Sequence, residues 1–247
     1  MVSQKDSSQI MAAFKAAAPI MAGYVVLGLP CGILCGQAGL SWWMVAIMSL
    51  LFYSGAGEYM IPNMWLAGAG IPAIILSVTL VNTRQLLYAT SLSRYCENAS
   101  KRLAFLFGAT VTDESFGVNL AKFAEGNWDV KSATMVNLFS LSSWTLATTA
   151  GVLIGELISV PTALASFAMT AIFICLLCMQ RIDATNVITA LSAVVGVVVC
   201  KLIGLSGPAI FIGAVLGIVA GVLYAQVKGN SQKHKPAEPS PESQVRS

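Results

Sequence analysis

The sequence predicts an all-α polytopic membrane helical bundle, on three observations. Of the 247 residues 56% are hydrophobic and only 10% charged, and the mean hydropathy is +0.76. A soluble domain of this length needs far more charge to cover its surface. Runs of about 20 apolar residues, the length of a helical bilayer span, recur along the chain. The connections between them are short, so no soluble domain interrupts the bundle.

Eight apolar segments can be marked, near 16–37, 41–68, 71–92, 103–124, 132–156, 161–179, 185–203 and 208–226. The first resembles the apolar part of a signal peptide, but it is too long and further spans follow, so it reads as a retained helix. Residues 1–15 then form a cytoplasmic N-terminal segment and 16–226 one membrane domain. Residues 227–247 contain the proline-rich, polar stretch KGNSQKHKPAEPSPESQVRS, which predicts a disordered cytoplasmic tail.

Two segments make poor helices. The second carries Ser-Gly-Ala-Gly-Glu at its centre, Ser54 to Glu58, where Gly55 and Gly57 weaken the helix. The fourth carries Thr-Asp-Glu-Ser, Thr112 to Ser115. Facing lipid, Asp113 and Glu114 would cost about 2.5–3.5 kcal/mol each. Broken or re-entrant helices, buried against protein, suit both segments better.

Positive charge discriminates between topologies. If all eight segments cross, the loop with Arg94, Lys101 and Arg102 lies outside, against the positive-inside rule. If the second and fourth segments instead dip in and return, that loop is cytoplasmic and the outer loops hold no lysine or arginine. The expectation is six full crossings and two broken or re-entrant segments, with eight crossings as the alternative. Both termini are cytoplasmic in either arrangement.

Arg84 lies well inside the third segment, at the depth where the two interruptions should meet. An ionisable group there marks a site or a helix-pinning ion pair. Its planar fork matches a carboxylate with two parallel hydrogen bonds. Glu58, Arg84, Asp113 and Glu114 sum to −2 when all are ionised, so one acid is protonated or meets a positive ligand group. Asn82 sits two residues away and, on a continuous helix, points elsewhere; ligand contact and satisfaction of broken backbone are equally good readings. Asp113 is well placed to cap a half-helix, while Glu114 suits an ammonium or proton. The candidate substrate-binding set is Ser54, Gly55, Gly57, Glu58, Asn82, Arg84, Asp113, Glu114 and Ser115, with Phe52, Tyr53, Leu87 and Phe116 as an apolar wall.

Other features are structural. Cys175 and Cys178 form a CxxC pair, but the single histidine, His234, is in the tail, so no metal or cofactor site is expected. Gly28/Gly32/Gly36, Ala147/Gly151/Gly155 and Gly213/Gly217/Gly221 place small residues on single helix faces, for helix packing or for a partner. No Walker motif is present, and adjacent acids on one helix cannot face each other as a catalytic pair. The chain therefore reads as a secondary transporter rather than an enzyme, with a non-transporting scaffold or regulatory subunit as the alternative. Nothing suggests nucleic acid.

The stretches LFYSGAGEYM, VNTRQLLYATSL and TVTDESFGV closely resemble the AzlC family of branched-chain amino acid exporters, over about residues 13–226. The family's N-x-R-H core is matched at Asn82 and Arg84, with Gln85 where histidine is common. Glu58 stands where glutamine often follows the glycine-rich break. These departures argue against a histidine relay and bring an extra carboxylate toward the site. The resemblance implies export of L-valine and similar amino acids, methionine among the candidates, across a bacterial inner membrane. It also implies a small hydrophobic membrane subunit of the AzlD type.

Overall fold

The computed structural model describes residues 4–126, 128–158, 161–178, 183–203 and 209–233. They form helices with no strand among the described residues, as an all-α bundle requires. Two compact units separate at residue 177/178.

In the first unit, α1 (Gln4–Gln37) and α7 (Val130–Leu157) are the long central elements. Their contacts rise together along both helices: Gln9 with Asp129, Phe14 with Phe139, Tyr24 with Trp144, and Ile33 with Gly155. The two helices are therefore parallel. Small residues permit the close approach. A Cβ at Gly28 would lie 2.7 Å from that of Ala147, and one at Gly32 would overlap the Thr148 carbonyl. Both ladders in this unit are consumed by this one contact.

The two expected breaks are present. The second segment splits into α2 (Trp42–Phe52) and α3 (Gly55–Leu66), and the fourth into α5 (Lys101–Ala109) and α6 (Asp113–Ala124). Their contacts along α1 and α7 fix their directions. From the Gln37 end of α1, α2 descends along α7, Ser49 meeting Thr148 and Gly55 the Trp144 ring. α3 then climbs back, so that Ile61, Pro62 and Trp65 share a groove with Ala38 and Leu40. α4 (Ile71–Leu92) starts in that groove with Ile71, Ile74 and Ile75. It ends beside Val130 and Ala133, at the opposite end of α7. α4 therefore runs antiparallel to α1 and α7.

After a 3-10 turn at Ser93–Cys96, α5 enters from this lower end and α6 returns to it. Phe107 and Phe123 face each other across the two arms, and Phe123 stacks on Tyr95. Both broken segments are thus re-entrant hairpins, inserted from opposite ends. Eight crossings would require α4 to run parallel to α1, so that alternative falls. Each hairpin is followed by an unbroken helix starting at the same end, a relation of inverted repeats.

Two boundaries differ from the sequence reading. The first helix begins at Gln4, not near residue 16, because the polar first turns continue the helical frame of the apolar run. The last helix continues through 227–233, within the expected tail; the rest of the tail lies outside the described residues. The first unit closes with α8 (Thr162–Cys178). Its Ala168 packs on the α1–α7 core.

The second unit pairs α9 (Ala184–Leu202) with α10 (Ala209–Lys233). Gly213, Gly217 and Gly221 receive Val197, Ala193 and Thr189 of α9, so this third ladder is also an internal seam. Val194, Val198, Ile218 and Val222 remain exposed, an apolar exterior suited to lipid.

Candidate functional site

The tips of the two hairpins meet. At the upper tip, Tyr53 adopts φ 34° and ψ 66°, the left-handed region that is strained for a residue with a side chain. Ser54 follows as N-cap of α3, its Oγ accepting from Gly57 N at 3.1 Å and donating to Asn82 Oδ1 at 2.6 Å. Gln85 donates to the Tyr53 carbonyl at 3.4 Å. Asn82 and Gln85 of α4 thus tie down the broken backbone.

The lower tip is capped reciprocally. Thr112 Oγ1 accepts from Ser115 N, and Ser115 Oγ accepts from Thr112 N at 2.9 Å. Capping therefore falls to Thr112 and Ser115, not to Asp113, whose carboxylate is left for other work. Behind them Asn137 of α7 donates to the Phe107 carbonyl at 3.2 Å and to Thr110 Oγ1 at 3.3 Å. It accepts from Asn119 at 3.0 Å, and Asn119 accepts from Trp128 Nε1.

Between the tips lies a narrow pocket of about 30 Å³, roughly the share of liquid volume of one water molecule, so an amino acid fits there only once the tips part. The first turns of both half-helices, Gly55–Ala56 and Thr112–Glu114, line it with Arg84, Gln85, Tyr24, Leu27 and Trp144. Arg84 pairs with Asp113 Oδ2 at 2.9 Å, both side chains about a quarter exposed. Tyr88 donates to the other oxygen of Asp113 at 2.5 Å. Tyr24 donates to Glu114 at 2.7 Å and lies 2.8 Å from Thr112 Oγ1. The buried Arg84 Nε and Trp144 Nε1 have no hydrogen-bond partner.

Gly55, Arg84, Asp113 and Glu114 thus converge on the pocket, while Ser54, Gly57, Asn82 and Ser115 build its frame. A Cβ on Gly57 would strike the Phe52 ring at 2.7 Å. Glu58 is the exception. One turn into α3, it points away from the pocket and is fully buried between α2 and α7, 2.5 Å from Ser49 Oγ. None of the four expected wall residues, Phe52, Tyr53, Leu87 and Phe116, lines the pocket. Leu87 is 65% exposed on the outer face of α4, and Phe116 stacks on Tyr88. Sequence reasoning missed Tyr24, Trp144 and Tyr88, aromatic rings with polar tips deep inside apolar segments.

The fold and this site define a multi-pass membrane protein with paired half-helices meeting inside the bundle. Residues 19–158 match the family model described as AzlC protein. The Bacillus subtilis branched-chain amino acid transport protein AzlC is 35% identical over 224 residues, 87% of this chain and 86% of that protein. An uncharacterized membrane protein of Helicobacter pylori is 32% identical over 87% of this chain and 96% of its own length. The Escherichia coli inner membrane protein YgaZ is 27% identical over 90% and 91% respectively. The chain belongs to the AzlC family. No solved structure matches it.

Proposed function

We propose that this chain is a secondary exporter of branched-chain amino acids, L-valine and similar substrates, across the inner membrane. The observation that carries the reading is the meeting of two half-helix N-termini and one arginine at a single pocket. Early N–H groups of a helix lack intrahelical partners and favour an anion. In α6 that field is met by Asp113 and Glu114 of the chain itself. In α3 the Gly55–Ala56 turn presents none to the pocket, so the substrate carboxylate belongs there, within reach of Arg84. Glu114 takes the ammonium, and Leu27, Ala56 and Trp144 receive an aliphatic side chain. The names of the relatives support the substrate class.

The hairpin seen from the Gln37 end enters from outside and the other from the cytoplasm, which puts Arg94, Lys101 and Arg102 inside with both termini. A small AzlD-type subunit completes the transporter, on a face other than the three glycine ladders, since these are internal seams. Its copurification with the full chain tests that part.

Arg84→Lys is the decisive substitution for the pocket. A point charge keeps the ion pair with Asp113 but not the fork. Valine export by cells fed valine-containing dipeptides should fall at least tenfold, about 1.4 kcal/mol, with unchanged protein level. Near-normal export, or loss of the folded protein, would assign Arg84 to scaffolding instead.

A further inference from the structure

Glu58 is the one fully buried acid among the described residues, and no cation lies within ion-pairing distance. The groups facing it from neighbouring elements are Cys31 of α1, Tyr53 at the end of α2, and Ser49, Trp144 and Thr148. Tyr59 is buried one residue further along α3. None of these is positively charged, and Arg84 is engaged by Asp113. An ionised carboxylate would have no counter-charge here, only the donors of Ser49, Trp144 and Ser54 N.

Proton counting points the same way. Glu58 Oε2 lies 2.5 Å from Ser49 Oγ, which lies 3.0 Å from Thr148 Oγ1. Thr148 Oγ1 in turn lies 3.0 Å from the Trp144 carbonyl and 3.1 Å from that of Thr145. Carbonyls only accept, and each hydroxyl has one proton to give. With Thr148 donating to the backbone and Ser49 to Thr148, all three links close only if Glu58 supplies the third proton. With an ionised Glu58, three links share two protons and one opens. The second carboxyl oxygen accepts from Ser54 N at 3.3 Å, as the carbonyl oxygen of an acid can.

Trp144 connects this chain to the pocket. Its indole lines the pocket against Gly55, and its Nε1 is close to Glu58 but unpartnered. On deprotonation, Ser49 turns its hydroxyl to the carboxylate and the indole N–H gains an acceptor. The step is a single proton exchange, Glu58 carboxylate plus H⁺ giving the carboxylic acid. We propose that Glu58, Ser49 and Thr148 form a proton-binding site whose loading is coupled through Trp144 to the pocket, so that protons enter as amino acids leave. The coupling half of this inference rests on the transport reading; the site itself does not.

Two measurements on the full chain, reconstituted with its subunit where one is required, separate these. In liposomes loaded with valine, wild type should show valine counterflow and pH-gradient-driven accumulation. Glu58→Gln should keep counterflow within about threefold and lose the accumulation. Accumulation equal to wild type overturns the inference. If wild type moves no valine in either mode, the transport reading fails, and infrared spectroscopy still decides the proton site. A protonated-carboxyl band at pH 7 should be present in wild type and missing in Glu58→Gln; equal bands overturn the site. Should Glu58→Gln not fold, Thr148→Val serves. It frees the Ser49 proton for the carboxylate, so the band should fade at lower pH than in wild type, and an unmoved titration overturns the site.

Discussion

The two hairpin tips solve one problem with different chemistry. Each must end one helix and start another inside the bundle, and each is tied by an asparagine from the unbroken helix that follows it: Asn82 for Ser54, Asn137 for Phe107 and Thr110. The lower tip turns its acids into the pocket, where Arg84, Tyr88 and Tyr24 hold them. The upper tip turns its acid away, into a sealed hydroxyl chain. One tip thus presents negative charge to the pocket and the other presents bare backbone N–H groups. A zwitterion needs both.

The largest expected difference between the tips lies in their asparagines. Asn137 is fully buried with three polar partners, so Asn137→Ala leaves several buried groups unsatisfied and should cost about 3 kcal/mol. Asn82 is half-buried with one such bond, and Asn82→Ala should cost about 1 kcal/mol. Melting of the purified variants in detergent checks the order. Equal losses would mean that the upper tip depends on Asn82 as heavily as the lower depends on Asn137.

An effect of opposite sign at the two hairpins is expected from their glycines. Gly57→Ala drives a methyl into the Phe52 ring, which should destabilise by about 1–3 kcal/mol. Gly117 of α6 has open space where its Cβ would stand, so Gly117→Ala should stabilise by roughly 0.5–1 kcal/mol. The same melting assay reads both. Destabilisation by both would indicate that the exposed face of α6 is occupied in the assembled protein.

Much of this arrangement was legible in the chain. Glycines and adjacent acids inside apolar segments located both breaks, and the lysine and arginine distribution favoured hairpins over crossings. Arg84 was legible because a charge in a span has so few bland explanations. The side on which Glu58 falls was not, because one residue of helical phase moves a side chain by about 100°. Tyr24 and Trp144 were hidden for another reason. Within an apolar run an aromatic ring reads as packing or as an interfacial belt, and their polar tips matter only through groups distant in sequence. Ser49 and Thr148 were equally silent, since single hydroxyls in spans commonly bond their own helix.

The central claim, that the hairpins insert from opposite faces, is tested most directly by thiol accessibility. In a chain freed of its native cysteines, single cysteines replace Ala38, Ala67 and Asn98, which lie between α1 and α2, between α3 and α4, and between α4 and α5. An impermeant thiol reagent is then applied to intact cells. Ala38→Cys and Ala67→Cys should both react, because the upper hairpin returns to the face it left. Asn98→Cys should react only after the membrane is opened. Labelling at 38 and 98 with protection at 67 would mean that the second segment crosses the membrane, and the meeting of the two tips would have no basis.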